Sequence, residues 1–163
     1  MFEELHRLGA QIGAGLKARG QTVAVIDGAT GGLISTGLLT VPGATGFYVG
    51  GGVVYSYKGR TILLGLDKAG FAGFQPVSEP YALRQAQAVR DNFGADWGVA
   101  ESGSAGPAAH PRGIPAGVSS IAVAGPGVEL TAMVDTGNAD RIANMHAFAA
   151  AALGLMIEAL AKV

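Results

Sequence analysis

The sequence predicts an α/β protein, a three-layer α/β/α sandwich with a mixed, mostly parallel sheet. Segments with helical periodicity alternate with short apolar runs that are typical of buried strands. One Pro-Gly turn, Pro126-Gly127, joins two of these runs as a hairpin, so the sheet is not purely parallel. The 163 residues suit one domain with a substantial core, and no repeat, linker or compositional shift divides them. We therefore expect a single domain over residues 1–163.

The first half of the chain predicts helices and strands in alternation. Leu5, Leu8, Ile12 and Leu16 recur at helical spacing, and Gly20 follows at the position of a C-cap glycine. The predicted elements after this helix are a buried strand "TVAVID", a helix from Gly31 to about Leu39, a strand from Gly51 to Tyr57, and a short helical turn that ends near Gly65.

The second half begins with a capped helix. Ser78 suits an N-cap, Pro80 is tolerated in the first turn, and the helix is expected to reach about Phe93. The later elements are the strands "ADWGVAES" and "GVSSIAVAG", the hairpin partner "VELTAMVD", and a long helix from about Ala139 to Lys162.

Composition limits the classes of partner. The net charge is −1 with no basic stripe, which argues against nucleic acid. Only 14% of residues are charged and 49% are hydrophobic, which predicts apolar surface buried between subunits and hence a homo-oligomer, a dimer or larger. Cysteine is absent, so disulfides, thiolate metal sites and cysteine nucleophiles are excluded.

Neither a targeting segment nor a membrane span is predicted. The stretch "MFEELHRLGA" is acidic and amphipathic, unlike a signal peptide. The longest apolar run, Ala147 to Ile157, is too short to cross a bilayer and suits a buried helix. We expect no membrane partner and a cytoplasmic location.

Two glycine-rich connections indicate where a ligand site lies. "DGATGG" (Asp27 to Gly32) and "ESGSAGPAAHPRGIPAG" (Glu101 to Gly117) are expected near the carboxyl ends of strands, where α/β sheets bind ligands. Tight turns and close helix–sheet packing use the same glycines, so both readings stay open. Neither segment matches a dinucleotide fingerprint or a P-loop.

Several longer stretches carry a family resemblance: "TGGLISTGLLTVPGATGFYVGGGVVYSY", "LLGL", "VSEPYALRQAQAVRDNFGADWGVAESGSAGP" and "PAGVSSIAVAGP". In order and spacing the chain resembles the CinA C-terminal domain family, from about Leu5 to Leu160. The family's enzymes are nicotinamide mononucleotide amidohydrolases (PncC). The resemblance implies an oligomeric α/β/α domain that works without metal or cofactor. It also implies a reaction in which nicotinamide mononucleotide and water give nicotinate mononucleotide and ammonia.

The chain departs from the family at the catalytic motifs. The first motif reads Glu-Ser-x-Thr-Gly-Gly, and its serine is the expected nucleophile, but here Gly28 occupies that position. Downstream the family has a tyrosine and, five residues later, a lysine that is thought to activate the serine. Tyr55 is kept, whereas Arg60 replaces the lysine. Arginine stays protonated and cannot act as a base.

Two further motif positions differ. Ser102 stands where the family has a threonine, and so keeps a hydroxyl. The family's Gly-Asp-Arg appears as Gly137, Asn138 and Ala139, with Arg141 two residues later as a partial substitute. These departures predict a domain that has lost deamidase activity and keeps a small-molecule-binding or oligomeric role. The alternative is an active amidohydrolase with altered catalytic residues.

Three residues are candidates for the remaining chemistry. Tyr55 either contacts a ligand or is structural. Thr30 attacks or binds a ligand, or else caps the next helix. Asp27 activates a water, or else bonds the N–H groups of the next turn.

The predicted ligand is a nucleotide or another pyridine small molecule, and no cofactor or metal is expected. Arg60 either clamps a phosphate or is a solvated charge at a helix end. His110 and Arg112 lie on the second glycine-rich loop, where they are placed to touch a ligand, and no histidine pair has metal-ligand spacing. Segments 27–32, 51–60 and 102–106 are predicted to line one pocket. The predicted ligand-binding residues are Gly28, Gly31, Gly32, Gly51, Arg60, Ser102, Gly103 and Gly106.

Overall fold

The computed structural model describes residues 1–163 and contains five α-helices and five strands. In chain order they are α1 (Phe2–Arg19), β1 (Val23–Asp27), α2 (Leu33–Leu39), β2 (Tyr48–Val53), α3 (Tyr57–Leu64), α4 (Glu79–Phe93), β3 (Trp97–Ser104), β4 (Val118–Gly125), β5 (Val128–Asp135) and α5 (Arg141–Leu160).

The strands form one sheet in the order β2-β1-β3-β4-β5. Strand β1 pairs in parallel with β2 and β3, while β4 is antiparallel to both β3 and β5. Four of the five strands therefore run in one direction. Helices α1, α2 and α5 pack on one side of the sheet, and α3 and α4 on the other. The predicted three-layer sandwich with a mixed, mostly parallel sheet is confirmed.

The core is divided by the sheet into two apolar clusters, one against α1 and α5 and one against α4. Trp97, fully buried in the first cluster, packs on Gly125, where an added Cβ would lie 2.2 Å from the indole ring. The indole Nε1 donates to Gln21 Oε1 at 2.9 Å. Only glycine at this position of β4 leaves room for the ring.

Most of the predicted elements are present. Gly20 ends α1 with φ of 63°, and the Ser78 hydroxyl accepts the N–H of Tyr81 at the start of α4. Residues 147–157 lie inside α5, as the apolar run predicted. By length and composition α5 is the one helix that could cross a bilayer. Its buried side chains, including Phe148 and Leu153, pack in the core, as expected of a core helix.

Two predicted elements have the wrong bounds. Helix α2 begins at Leu33 instead of Gly31, because Gly31 and Gly32 have φ of 63° and 103°, which no right-handed helix contains. Strand β2 runs from Tyr48 to Val53 instead of from Gly51 to Tyr57. Its neighbour β1 ends at Asp27, the partner of Val53, so no strand remains to pair with later residues.

Candidate functional site

A cavity of about 560 Å³ opens where β1 and β3 end, and we call it the Gly28 cavity. Residues from all three predicted segments line it, among them Gly28, Tyr55, Ser102 and Gly103. The second glycine-rich loop contributes His110 and Arg112. The three segments thus line one cavity, as expected, and the roles of these residues stay predictions.

Glu101, for which the sequence motifs predicted no role, bonds the turn at residues 27–32, which we call the Gly28 turn. Glu101 Oε2 accepts the main-chain N–H groups of Gly28 and Thr30 at 3.1 and 3.0 Å. Its Oε1 accepts the hydroxyl of Ser119 at 2.6 Å. Main-chain N–H groups that precede a helix commonly bind anions. Here two such groups bind a carboxyl group of the protein itself.

Glu101 lines the Gly28 cavity but is only 1% exposed. Burial raises the pKa of its carboxyl above the ordinary value of 4.5, and the hydrogen bonds from Ser119 and Thr30 oppose that rise. A carboxyl with a raised pKa in a cleft is a typical acid–base group. In the sequence, Glu101 is the one charged residue of the strand "WGVAESGS".

Gly28 leaves no space for the family's serine. A Cβ on Gly28 would lie 2.5 Å from the main-chain carbonyl oxygen of Glu101 and 3.2 Å from Glu101 Oε2. Contacts below 3.0 Å require a shift of the main chain of β3. The turn can therefore approach β3 this closely only because residue 28 has no side chain.

Asp27 and Thr30 lie outside the cavity lining and are both buried. Asp27 Oδ1 accepts the Thr30 hydroxyl at 2.6 Å and the N–H of Ile34 at 2.9 Å. Asp27 Oδ2 accepts the N–H and the hydroxyl of Ser35 at 3.2 and 2.8 Å. The carboxylate of Asp27 therefore caps α2. The prediction that Thr30 is the N-cap is wrong, because Gly32 occupies that position.

Tyr55 follows β2, and its side chain is 73% exposed. Arg141 donates to the Tyr55 hydroxyl at 3.1 Å and also to the main-chain oxygen of Gly106. Arg141, the arginine expected as a partial substitute at the start of the last helix, thus contacts the hydroxyl of the tyrosine that matches the family motif. The remaining predicted ligand-binding glycines, Gly31, Gly32, Gly51 and Gly106, do not line the cavity.

Arg60 is only 5% exposed, so the interpretation as a solvated helix-end charge is wrong. Its guanidinium carbon lies 4.1, 4.8 and 5.8 Å from the ring centres of Phe71, Tyr57 and Tyr81. One terminal nitrogen donates to the Tyr81 hydroxyl at 3.2 Å. The short α3 and the 3₁₀ turn at Ala69–Phe71 enclose the guanidinium between aromatic rings, where cation–π attraction stabilises it.

Three polar side chains that line the Gly28 cavity have hydrogen-bonding capacity that the protein does not use. Gln85 is 2% exposed and its Oε1 has no hydrogen-bond partner. Ser102 Oγ accepts the N–H of Val77 at 3.1 Å, so its own proton is available. His110 Nδ1 bonds the N–H of Arg112 at 3.1 Å, which leaves Nε2 as the other ring position. Burial and the charge of Arg112 lower the pKa of His110, which favours the neutral ring.

Comparison with known proteins agrees with this fold. The model of the CinA C-terminal domain family matches residues 5–160. A CinA superfamily protein from Klebsiella pneumoniae superposes with a TM-score of 0.89 at 26% identity, covering 98% of this chain and 99% of the other. The competence/damage inducible protein CihA from Agrobacterium tumefaciens gives a TM-score of 0.87 at 25% identity, covering 95% and 94%.

The chain matches only part of the length of its curated relatives. A CinA-like protein from Gloeobacter violaceus is 39% identical over 108 residues, which are 66% of this chain and 25% of the relative. One from Desulforapulum autotrophicum is 34% identical over 146 residues, 90% of this chain and 34% of the relative. The chain thus spans about a quarter to a third of the length of these relatives.

Proposed function

Because the chain belongs to the CinA C-terminal domain family, we propose that it binds a pyridine nucleotide in the Gly28 cavity without hydrolysing it by the family's serine mechanism. The observation that carries the proposal is the unpaired Gln85 Oε1. Buried polar atoms in native proteins are nearly always hydrogen-bonded, and an orphan costs about 1–3 kcal/mol. Gln85 Oε1 is buried while its residue lines the cavity, so the amide removes that cost by turning its oxygen toward a ligand N–H donor, such as a carboxamide N–H.

The groups that serine chemistry requires are absent. Gly28 has no nucleophile, and the Glu101 carbonyl oxygen occupies the space that a Cβ would need. The arginine at the lysine position is buried among aromatic rings and is permanently protonated. Loss of a nucleophile alone commonly removes several powers of ten of rate.

The turn's N–H groups are also unavailable to a ligand. In acyl-transfer enzymes such donors stabilise the oxyanion of the tetrahedral intermediate. Here Glu101 already accepts the N–H groups of Gly28 and Thr30. A second negative charge at the same donors would be repelled by an ionised Glu101.

One feature favours the alternative of an altered hydrolase. Glu101 combines a raised pKa with a place in the cavity lining beside Ser102. In this second candidate the carboxylate of Glu101 takes a proton from a water that attacks the carboxamide carbon of the ligand, and gives it to the amide nitrogen as the C–N bond breaks and ammonia leaves. Only the hydrolase would release ammonia and nicotinate mononucleotide.

The test is isothermal titration with nicotinamide mononucleotide, run beside an ammonia assay. We expect saturable binding, no ammonia above the no-protein control, and weaker binding of nicotinate mononucleotide, whose carboxylate offers Gln85 no donor. Gln85→Leu should reduce affinity for nicotinamide mononucleotide about tenfold. Gln87→Leu is the matched control, since Gln87 lies on the same helix and bonds Glu129 instead.

Two results would contradict the proposal. Absence of binding to the folded wild-type protein refutes the nucleotide ligand. Ammonia release that Glu101→Gln abolishes establishes the hydrolase in its place.

A further inference from the structure

Two side chains in the lining of the Gly28 cavity are almost closed to solvent. Gln85 is 2% exposed and Glu101 is 1% exposed, although both line the cavity. The atom on which the proposed function depends, Gln85 Oε1, is itself buried. Full contact between these groups and a molecule from solvent therefore requires part of the cavity wall to move.

One part of that wall is the loop between β3 and β4. Its residues 107–116 include His110 and Arg112, which line the cavity. The main-chain N–H of Gly117 donates to the main-chain oxygen of Ser104 at 2.8 Å, so the two ends of the loop lie side by side. Compact surface loops of this length with close ends are Ω-loops, which frequently carry function.

Glycines flank this loop. Gly106 and Gly117 have φ of 91° and 90°, values that glycine adopts without steric cost. Lids move about a few residues that absorb the changes in φ and ψ, and these residues are often small. The loop thus has a position suited to a hinge at each end.

The loop bonds largely to itself. The N–H of His110 donates to the oxygen of Ile114 at 2.8 Å, and the N–H of Gly113 donates to the oxygen of His110 at 2.7 Å. Toward the rest of the protein, residues 107–116 have one hydrogen bond from the Ser104 hydroxyl to the Ile114 oxygen at 3.3 Å, besides those of the Arg112 side chain. A segment with so few bonds to its surroundings opens locally at low cost.

Arg112 fastens the loop to the opposite wall. One terminal nitrogen donates to Gln75 Oε1 and the other to the Tyr57 hydroxyl, both at 3.0 Å. All three residues are exposed, so water competes for both bonds and each contributes little. Gln75 itself is fixed, because the hydroxyl of Ser78 at the start of α4 donates to its main-chain oxygen at 2.5 Å.

We propose that residues 107–116 form a lid over the Gly28 cavity and that the two hydrogen bonds of Arg112 hold it closed. When these bonds break, the loop moves about its flanking glycines and Gln85 becomes reachable from solvent. When they form, the loop excludes water from the cavity. As control over the entry of a nucleotide this inference rests on the proposed function, whereas the opening itself does not.

Thiol reactivity measures the opening, because the chain has no cysteine of its own. Gln85→Cys places a single thiol in the lining, and its rate of reaction with N-ethylmaleimide follows the population of the open lid. We expect Arg112→Ala to raise this rate about tenfold. Ala29→Cys, in the same lining and 8% exposed, should respond alike and replaces the first probe if Gln85→Cys does not fold.

Two controls separate the lid from general loosening of the structure. Arg19→Ala also removes two hydrogen bonds of an arginine, those to the main-chain oxygens of Leu160 and Val163, but Arg19 does not line the cavity. It should leave the rate at the cavity thiol unchanged. Ala149→Cys lies fully buried in the core and should react equally slowly with and without Arg112→Ala.

Four results would overturn the proposal. They are unchanged rates of both cavity thiols in Arg112→Ala, an equal rise in Arg19→Ala, a parallel rise at Ala149→Cys, and cavity thiols that react at the rate of the unfolded chain while Arg112 is present. The measurement uses no nucleotide. Failure of nicotinamide mononucleotide to bind would therefore leave the lid intact, and failure of the lid would leave the nucleotide site intact.

Discussion

Glu101 Oε2 lies 3.1 Å from the main-chain nitrogen of Gly28 and accepts its hydrogen bond. This hydrogen bond joins the end of β1 to β3, and the short distance between them leaves room only for glycine at position 28. Because Glu101 accepts the N–H groups of the turn, these donors are not available to an external anion.

The first prediction concerns the pH dependence of stability. Because burial raises the pKa of Glu101 in the folded protein, the folded state binds a proton that the unfolded chain has released. The free energy of unfolding therefore falls as pH rises from about 4.5 through the raised pKa. Glu101→Gln removes this titration while its amide still accepts the Gly28 and Thr30 N–H groups.

Chemical denaturation of both proteins across pH 4.5–8 measures the effect. We expect the wild type to gain stability relative to Glu101→Gln as pH decreases. A difference that stays constant, or that grows in favour of the variant at low pH, would show that the Glu101 pKa is not raised.

The second prediction concerns restoration of the family motif. Gly28→Ser with Arg60→Lys supplies the serine and the lysine, but the serine Cβ meets the Glu101 carbonyl oxygen. We expect no ammonia release from nicotinamide mononucleotide and a loss of about 2 kcal/mol in stability from overpacking. Gly28→Ala isolates the steric part, and turnover by the double variant would disprove the closure of the turn.

The third prediction separates a structural from a chemical role for Asp27. The Asp27 carboxylate accepts four hydrogen bonds, and Asn can accept only part of them. Asp27→Asn should lower the free energy of unfolding by about 3 kcal/mol and leave ligand affinity of the folded fraction unchanged. Thr30→Val, which removes one donor, should cost less. A variant of normal stability with altered ligand binding would favour the water-activating role.

The fourth prediction concerns assembly. We expect a homodimer or larger oligomer that uses the β2 edge of the sheet and the segment that follows it into α3, where Val53, Tyr55 and Ile62 are 45%, 73% and 70% exposed. Light scattering at micromolar concentration should detect it, and Ile62→Lys should dissociate it. Met133→Lys, on β5 at the opposite edge, is the control. A wild-type monomer would refute this prediction.

The fold was predictable from sequence because it depends on local patterns. The hydrophobic spacing of α1, the Ser78 cap of α4 and the Pro126-Gly127 turn each act within a few residues, and the structure contains all of them. The ends of elements were less predictable. Strand β2 stops because its partner stops, and the partner is more than twenty residues away in the chain.

The candidate site was predictable in place but not in detail. The motifs pointed to Gly28 and Ser102 as site residues. Glu101 could not be found in this way, because it bonds the Gly28 turn from a position 73 residues later in the chain. The burial of Arg60 depends on Phe71 and Tyr81, which come from other elements. Such long-range contacts leave no periodic signal along the chain.

The position of Trp97 gives the protein two separate optical signals. The one tryptophan is enclosed in the core beside Gly125, whereas Tyr55, Tyr57 and Tyr81 line the Gly28 cavity. Fluorescence emission from selectively excited Trp97 should change when the sheet unfolds and should not change when a ligand binds. Tyrosine absorbance should respond to occupancy instead, so a single unlabelled sample distinguishes ligand binding from loss of structure.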